Sequence, residues 1–281
     1  MSKRPRLRTT IRLTIAAFRR DNASRFGAAL AFYIVFSIAP LLLIAIAVAG
    51  SLLGRQEAER EIVRRITGSF GSAAGAAIAT MIRDAAQRRV GWLATVLGVM
   101  TLYFGLSGVY RQVDDAIRTI WRRKPVGEVG LIRAIKKRLG SMLLVAAAGA
   151  VVLLSVLADA AIAVTGRYAA ARLVGGEPWW HAVQLLVSTL VLAALFAVVF
   201  RHLAQEPVSW REVRLGAAVT AVLFVIGKFA LGIYLGKAAV GSTYGAAGSI
   251  VVVLLWAYWS AQIFFFGLEF TRVYSEEHRP A

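Results

Sequence analysis

The sequence predicts an all-α fold: a polytopic membrane protein built as a six-transmembrane-helix bundle with both termini cytoplasmic. Three observations carry this. Hydrophobic residues make up 58% of the 281 and charged residues 17%, against roughly 45–50% and 25% in ordinary soluble domains. The apolar residues are gathered into six runs nearly free of charge, each close to or above the ~20 residues that a helix needs to cross hydrocarbon. Lys and Arg collect in alternate connections between those runs, the asymmetry that sets membrane orientation.

Taken in order, Phe26–Gly54, Val90–Tyr110 and Leu139–Ala158 carry no charge at all. Pro178–Phe200 is interrupted only by His181, and Arg214–Gly236 has Lys228 inside it. Ala238–Leu268 is the last run and is longer than one crossing needs. The predicted spans are about 27–53, 91–110, 139–163, 181–200, 214–235 and 248–271. None of the runs alternates with period two, which argues against a transmembrane barrel. The mean hydropathy of +0.66 leaves too little polar surface for a soluble protein to enclose six such helices.

The segment 1–26 holds eight Lys and Arg, and the connection after the second span holds nine between Arg111 and Arg138. Arg201, Arg211, Arg214, Arg272 and Arg279 fall on the same side, giving 22 there against ten opposite. Both termini are therefore expected in the cytoplasm. Residues 1–26 read as a basic segment forming an amphipathic interfacial helix, with Leu7, Ile11, Ile15 (or Thr14) and Phe18 at helical spacing among arginines. Residues 27–271 form the transmembrane domain and 272–281 a short cytoplasmic tail. The extracytoplasmic loop 54–90 is predicted helical, since Ile62, Ile66 and Phe70, then Ile78, Ile82 and Ala85, repeat at helical spacing around Gly68–Gly71.

The net charge of +18 would suggest nucleic acid in a soluble chain. Here it is accounted for by topology and by anionic lipid on the cytoplasmic face. No nucleic-acid partner is expected, and a homo-oligomer is left open. With no cysteine, a disulfide scaffold, a zinc ribbon and a thiol enzyme are excluded. His181, His202 and His278 have no metal-ligand spacing, no carboxylates cluster as in a two-metal nuclease, and no GxSxG elbow occurs. No catalytic residue, metal or cofactor is expected.

Charge within a span is costly and marks function by default. Asp159 lies near the outer end of the third span and Lys228 within the fifth. At about 1.5 Å per residue both fall in the outer half, at depths that allow pairing. The bland alternative has Asp159 in the head groups and Lys228 snorkelling to them. Glu269 closes the sixth span, with Gln262 two turns before it on nearly the same face. Glu269 either faces the bundle centre or pairs with Arg272 at the interface. Asp114 and Asp115 read as surface ion pairs with Arg118 and Arg111 rather than as an acid–base dyad. Pro40 removes one backbone bond inside the first span, and Gly98, Gly105 and Gly108 allow close helix approach in the second. Gly241, Gly245 and Gly248 open the sixth span with a run of small residues. That run is either an unwound stretch facing a ligand or a tightly packed start to the helix.

Three stretches together resemble the YihY/BrkB family of bacterial inner-membrane proteins. They are Ala29–Tyr33 with Ser37, Pro40 and Leu41; Asp114–Trp121; and Tyr244–Ser249 followed by Leu255, Trp256, Tyr258 and Gly267–Glu269. Arg118 and Leu268 depart from the family pattern, which commonly has Asn and Ala there, and no role is carried to them. The resemblance implies a six-helix protein of the cell inner membrane. It brings an old ribonuclease label, read here as a misattribution, and a virulence-factor name that states no chemistry. The expectation is a transporter or permease-like protein for an unknown small solute. A non-transporting, envelope-organising or lipid-interacting protein is the alternative, and a membrane-bound ribonuclease the remote one.

Overall fold

A computed structural model describes residues 7–70, 72–87, 92–122, 176–204, 208–237 and 248–278. Eight helices account for nearly all of them: α1 (Leu7–Arg20), α2 (Ala23–Leu53), α3 (Arg55–Phe70), α4 (Ser72–Gln87), α5 (Trp92–Ile120), α6 (Gly176–Ala204), α7 (Trp210–Lys237) and α8 (Gly248–His278). The described residues contain no strand. The third predicted span, 139–163, lies outside them. The others are present as helices that overrun their predicted bounds, by as much as ten residues for α5. Run length marks what an apolar slab accepts, whereas backbone hydrogen bonding continues into polar sequence such as Arg111–Arg118.

Among the described residues, three helices contain stretches long and apolar enough to cross a membrane: Leu185–Leu203, Trp210–Leu235 and Ile250–His278. Many of their apolar side chains are exposed, among them Leu186, Leu190, Ile226, Phe229, Ile233 and Ile250. Polar side chains are meanwhile turned inside, including Thr220, Ser107 and Glu269. This distribution is the reverse of a water-facing surface and suits a hydrocarbon surround.

The chain divides into two compact units, and α5, α7 and α8 contribute to both. The unit formed by residues 22–116 and 226–265 has a core of Ile46, Ile78, Ile82, Leu231, Leu235 and Val252, with Ile62 and Ile66 packed against it. Gly54 links α2 to α3 at a φ of 85°, a left-handed conformation that a side chain would strain. In the same unit, a Cβ at Gly105 would overlap Ser37 and one at Gly108 would overlap the Tyr33 ring, so α2 and α5 touch there. Gly98 has nothing within 4 Å and does not serve helix approach among the described residues. Pro40 lies inside α2, which continues on both sides of it.

The other unit comprises residues 1–21, 117–225 and 266–281. Its fully buried side chains include Phe200, Phe270, Ile120, Val208 and Val213. The α6–α7 turn is clasped by Arg201, which donates to the Val208 carbonyl and lies 5.5 Å from the Trp210 ring centroid. A capping box starts α7: Ser209 N–H donates to Glu212 Oε2 (2.9 Å) and Glu212 N–H to Ser209 Oγ (3.3 Å).

Helices α7 and α8 cross antiparallel in this unit through a reciprocal arrangement. A Cβ at Gly216 would overlap Thr271 Oγ1, and one at Gly267 would overlap Thr220 Oγ1. Each threonine hydroxyl donates to the glycine carbonyl four residues earlier on its own helix, at 2.7 and 2.8 Å. Each helix thus offers one gap and one plug, and the hydroxyls are satisfied without crossing the interface.

Candidate functional site

Helix α1 runs antiparallel to the end of α8. Thr10 Oγ1 donates to Glu277 Oε2 at 2.7 Å, and the Phe18 and Phe266 rings lie 5.9 Å apart. The face that α1 turns inward is Thr10, Thr14 and Ala17. Ile11, Leu13 and Ile15 are exposed, so of the predicted stripe Ile11 and Ile15 face outward while Thr14 and Phe18 lie against the protein. Small threonines, with Thr14 Oγ1 bonded back to the Thr10 carbonyl at 2.8 Å, allow the close approach instead.

This packing brings the turn after α1 against α8. Glu269 is 0% exposed. Its Oε2 accepts from Arg272 Nε (3.2 Å) and Nη2 (3.1 Å). The Arg272 side chain, 3% exposed, also donates through Nη1 to both oxygens of Glu276, at 2.8 and 2.9 Å. From the α1–α2 turn, Asp21 Oδ2 lies 4.0 Å from Arg272 Nη2. Asp21 in turn receives a two-pronged bond from Arg20, at 2.9 and 3.1 Å. The turn is set by Asn22 at a φ of 51°, a conformation that asparagine tolerates better than most residues.

Among the described residues of this unit, two buried polar atoms have no hydrogen-bond partner: Glu269 Oε1 and Trp121 Nε1. Asp21 is held below the usual carboxylate range. Burial works to raise it, but the Arg20 hydrogen bond, the adjacent Glu269 carboxyl and the charges of Arg20 and Arg272 outweigh that. The Arg20 guanidinium is pushed up, chiefly by its bond to Asp21.

Glu269 therefore combines features of both sequence expectations, being paired with Arg272 and fully buried. Gln262 stands in the other unit, where its Nε2 donates to the Ser24 carbonyl of α2 at 3.2 Å and lies over Gly27. Lys228 Nζ lies 5.3 Å from the Phe229 ring centroid. Gly248 is buried at the start of α8. Asp159, Gly241 and Gly245 lie outside the described residues, and with Asp159 so does its pairing with Lys228. Sequence reasoning passed over Asp21, Arg20 and Glu276. A signal was present: Asp21 is the sole acid among residues 1–26, and Glu269, Arg272 and Glu276 have i, i+3 and i+4 spacing.

Membrane-length helices with apolar exteriors and a buried ion-pair network define a helical membrane protein. The chain belongs to the virulence factor BrkB family, whose profile matches residues 14–281. It is similar to UPF0761 membrane proteins. That of Pseudomonas aeruginosa is 26% identical over 260 residues, covering 89% of this chain and 59% of the relative. That of Alcanivorax borkumensis is 26% identical over 275 residues, covering 95% and 61%. The chain thus spans about three fifths of the length of these curated relatives. No solved structure matches it.

Proposed function

We propose that this is a transporter or permease-like protein for a small solute, acting without enzymatic chemistry in the bacterial inner membrane. In this reading the chain crosses six times with both termini in the cytoplasm. One observation carries the proposal. A carboxylate at 0% exposure and its arginine partner at 3% sit in a helix long enough to cross a membrane. Burying such a pair gains little stability over an apolar replacement, and in membrane helices such groups usually mark solute or ion paths. The site of the proposal is the Glu269–Arg272 network. Asp159, Lys228 and Gln262 are separate candidates and are not assigned to it.

A second reading, lipid interaction without transport, is favoured by α1. Its exposed Ile11 and Ile15 lie beside Arg8, Arg12 and Arg19, as expected of a helix resting on anionic head groups. Thermal stability of the detergent-purified protein, measured across small solutes, lipids and RNA, separates these readings. A ligand specific to the native state contributes about 2.7 kcal/mol at 100 times its Kd. Stabilisation by a small solute that is lost in Glu269→Gln supports transport and gives the solute class. Stabilisation by anionic lipid alone supports the lipid-interacting reading, and by RNA the nuclease alternative.

A further inference from the structure

Among the described residues, the Glu269 network is short of one positive charge. Three carboxyls, Asp21, Glu269 and Glu276, are arranged around two guanidinium groups, Arg20 and Arg272. The shortfall is matched by one atom. Glu269 Oε1 is buried with no hydrogen-bond partner among the described residues, while Oε2 takes both Arg272 bonds. A buried oxygen without a donor is costly when its carboxylate is charged.

We propose that this network is a proton-binding site, with Glu269 as the group that takes up the proton. The step is simple addition: the carboxylate becomes a carboxylic acid, and no bond other than the new O–H forms or breaks. The network as a whole then becomes neutral.

A metal ion suits the arrangement less well. Arg272 already occupies the position between the carboxyls, and a divalent ion would have to displace it. Among the described residues no three acidic or histidine side chains are grouped to hold a metal. An anion meets net negative charge. A proton adds without displacing anything.

The charged groups acting on Glu269 are Arg272 on its own helix and Asp21 from the α1–α2 turn. Arg20 and Glu276 stand behind these two, and Glu277 is engaged by Thr10. Helix α7 presents Gly216 and Thr220 to α8, both neutral. The route to water is also laid out. Arg20 and Glu276 are 52% and 56% exposed, Asp21 is 11% exposed, and Glu269 ends the series at 0%. The inference concerns proton uptake alone and does not depend on any solute being moved.

The test is infrared difference spectroscopy of the detergent-purified full chain during acidification. A protonated carboxyl out of water gives a C=O stretch at the high-frequency end of the carboxylic-acid region. The wild-type protein should develop one such band. It should move when glutamate is labelled with 13C and stay when aspartate is labelled, a result that needs no mutation and so no assumption about folding. The band should be lost in Glu269→Gln. In Glu276→Gln, which removes the excess negative charge, it should appear only at lower pH than in the wild type. Absence of the band in the wild type, a band that follows the aspartate label, or one that survives in folded Glu269→Gln would overturn the proposal.

Discussion

Arg272 holds three carboxyl groups that would otherwise repel one another, and it does so almost out of reach of water. Removing it leaves Glu269 buried and uncompensated. Arg272→Ala should therefore destabilise the protein by about 3–5 kcal/mol, read as a lowered unfolding midpoint in detergent. Adding Glu269→Gln to that variant should recover much of the loss, because the stranded charge is gone. Asp21 carries a pH signature. Its folded-state value is depressed, so its stabilisation is present in full above the ordinary aspartate value of 3.8. It is lost as pH falls through the lower folded value. The stability difference between wild type and Asp21→Asn should accordingly shrink only in that acid range. Glu269 was legible in the sequence because charge at the end of an apolar run is conspicuous. Asp21 was not, because about 250 residues separate it from Arg272 and only the antiparallel packing of α1 on α8 makes them neighbours.

At the scale of elements, the glycines divide by what lies over them. Gly267 is pressed against Thr220, so Gly267→Ala should cost about 1–3 kcal/mol by overpacking. Gly98 sits inside α5 with nothing within 4 Å among the described residues, and Gly98→Ala should stabilise by about 0.5–1 kcal/mol. Parallel melting curves of the two variants check both signs. Periodicity and composition alone treat these glycines alike, since neither says which helix crosses where. The same limit applies to α1, where the helical spacing named Ile11, Ile15 or Thr14, and Phe18, but not Thr10, which shares the packed face with Thr14. That packing also alters what truncation can tell. Deleting residues 1–20 removes the partner of Glu277 and uncovers Phe266, so it harms a transporter as well as a lipid-binding protein.

For the whole molecule, α2 and α5–α8 were legible because run length in an apolar medium is set by bilayer thickness and needs no tertiary information. Helices α1, α3 and α4 were legible from the helical spacing of their apolar residues. Where the helices end was not, because interfacial sequence is polar yet still hydrogen-bonds as helix. Orientation is open to direct measurement, since the chain has no native cysteine to interfere. Thr9 on α1 and Gln56 on α3 are both exposed. With both termini cytoplasmic, Gln56→Cys should react with a membrane-impermeant maleimide on intact spheroplasts, and Thr9→Cys only after permeabilisation. The reverse pattern would invert the topology.

The paired gaps and plugs at the α7–α8 crossing behave like a detent. Sliding one helix along the other would drive both threonines out of their seats at once and leave two voids behind. Because the two seats lie one helical turn apart, rotation about the crossing would unseat both as well. Within this unit, then, these two helices are pinned against sliding and turning alike, and would move as one piece.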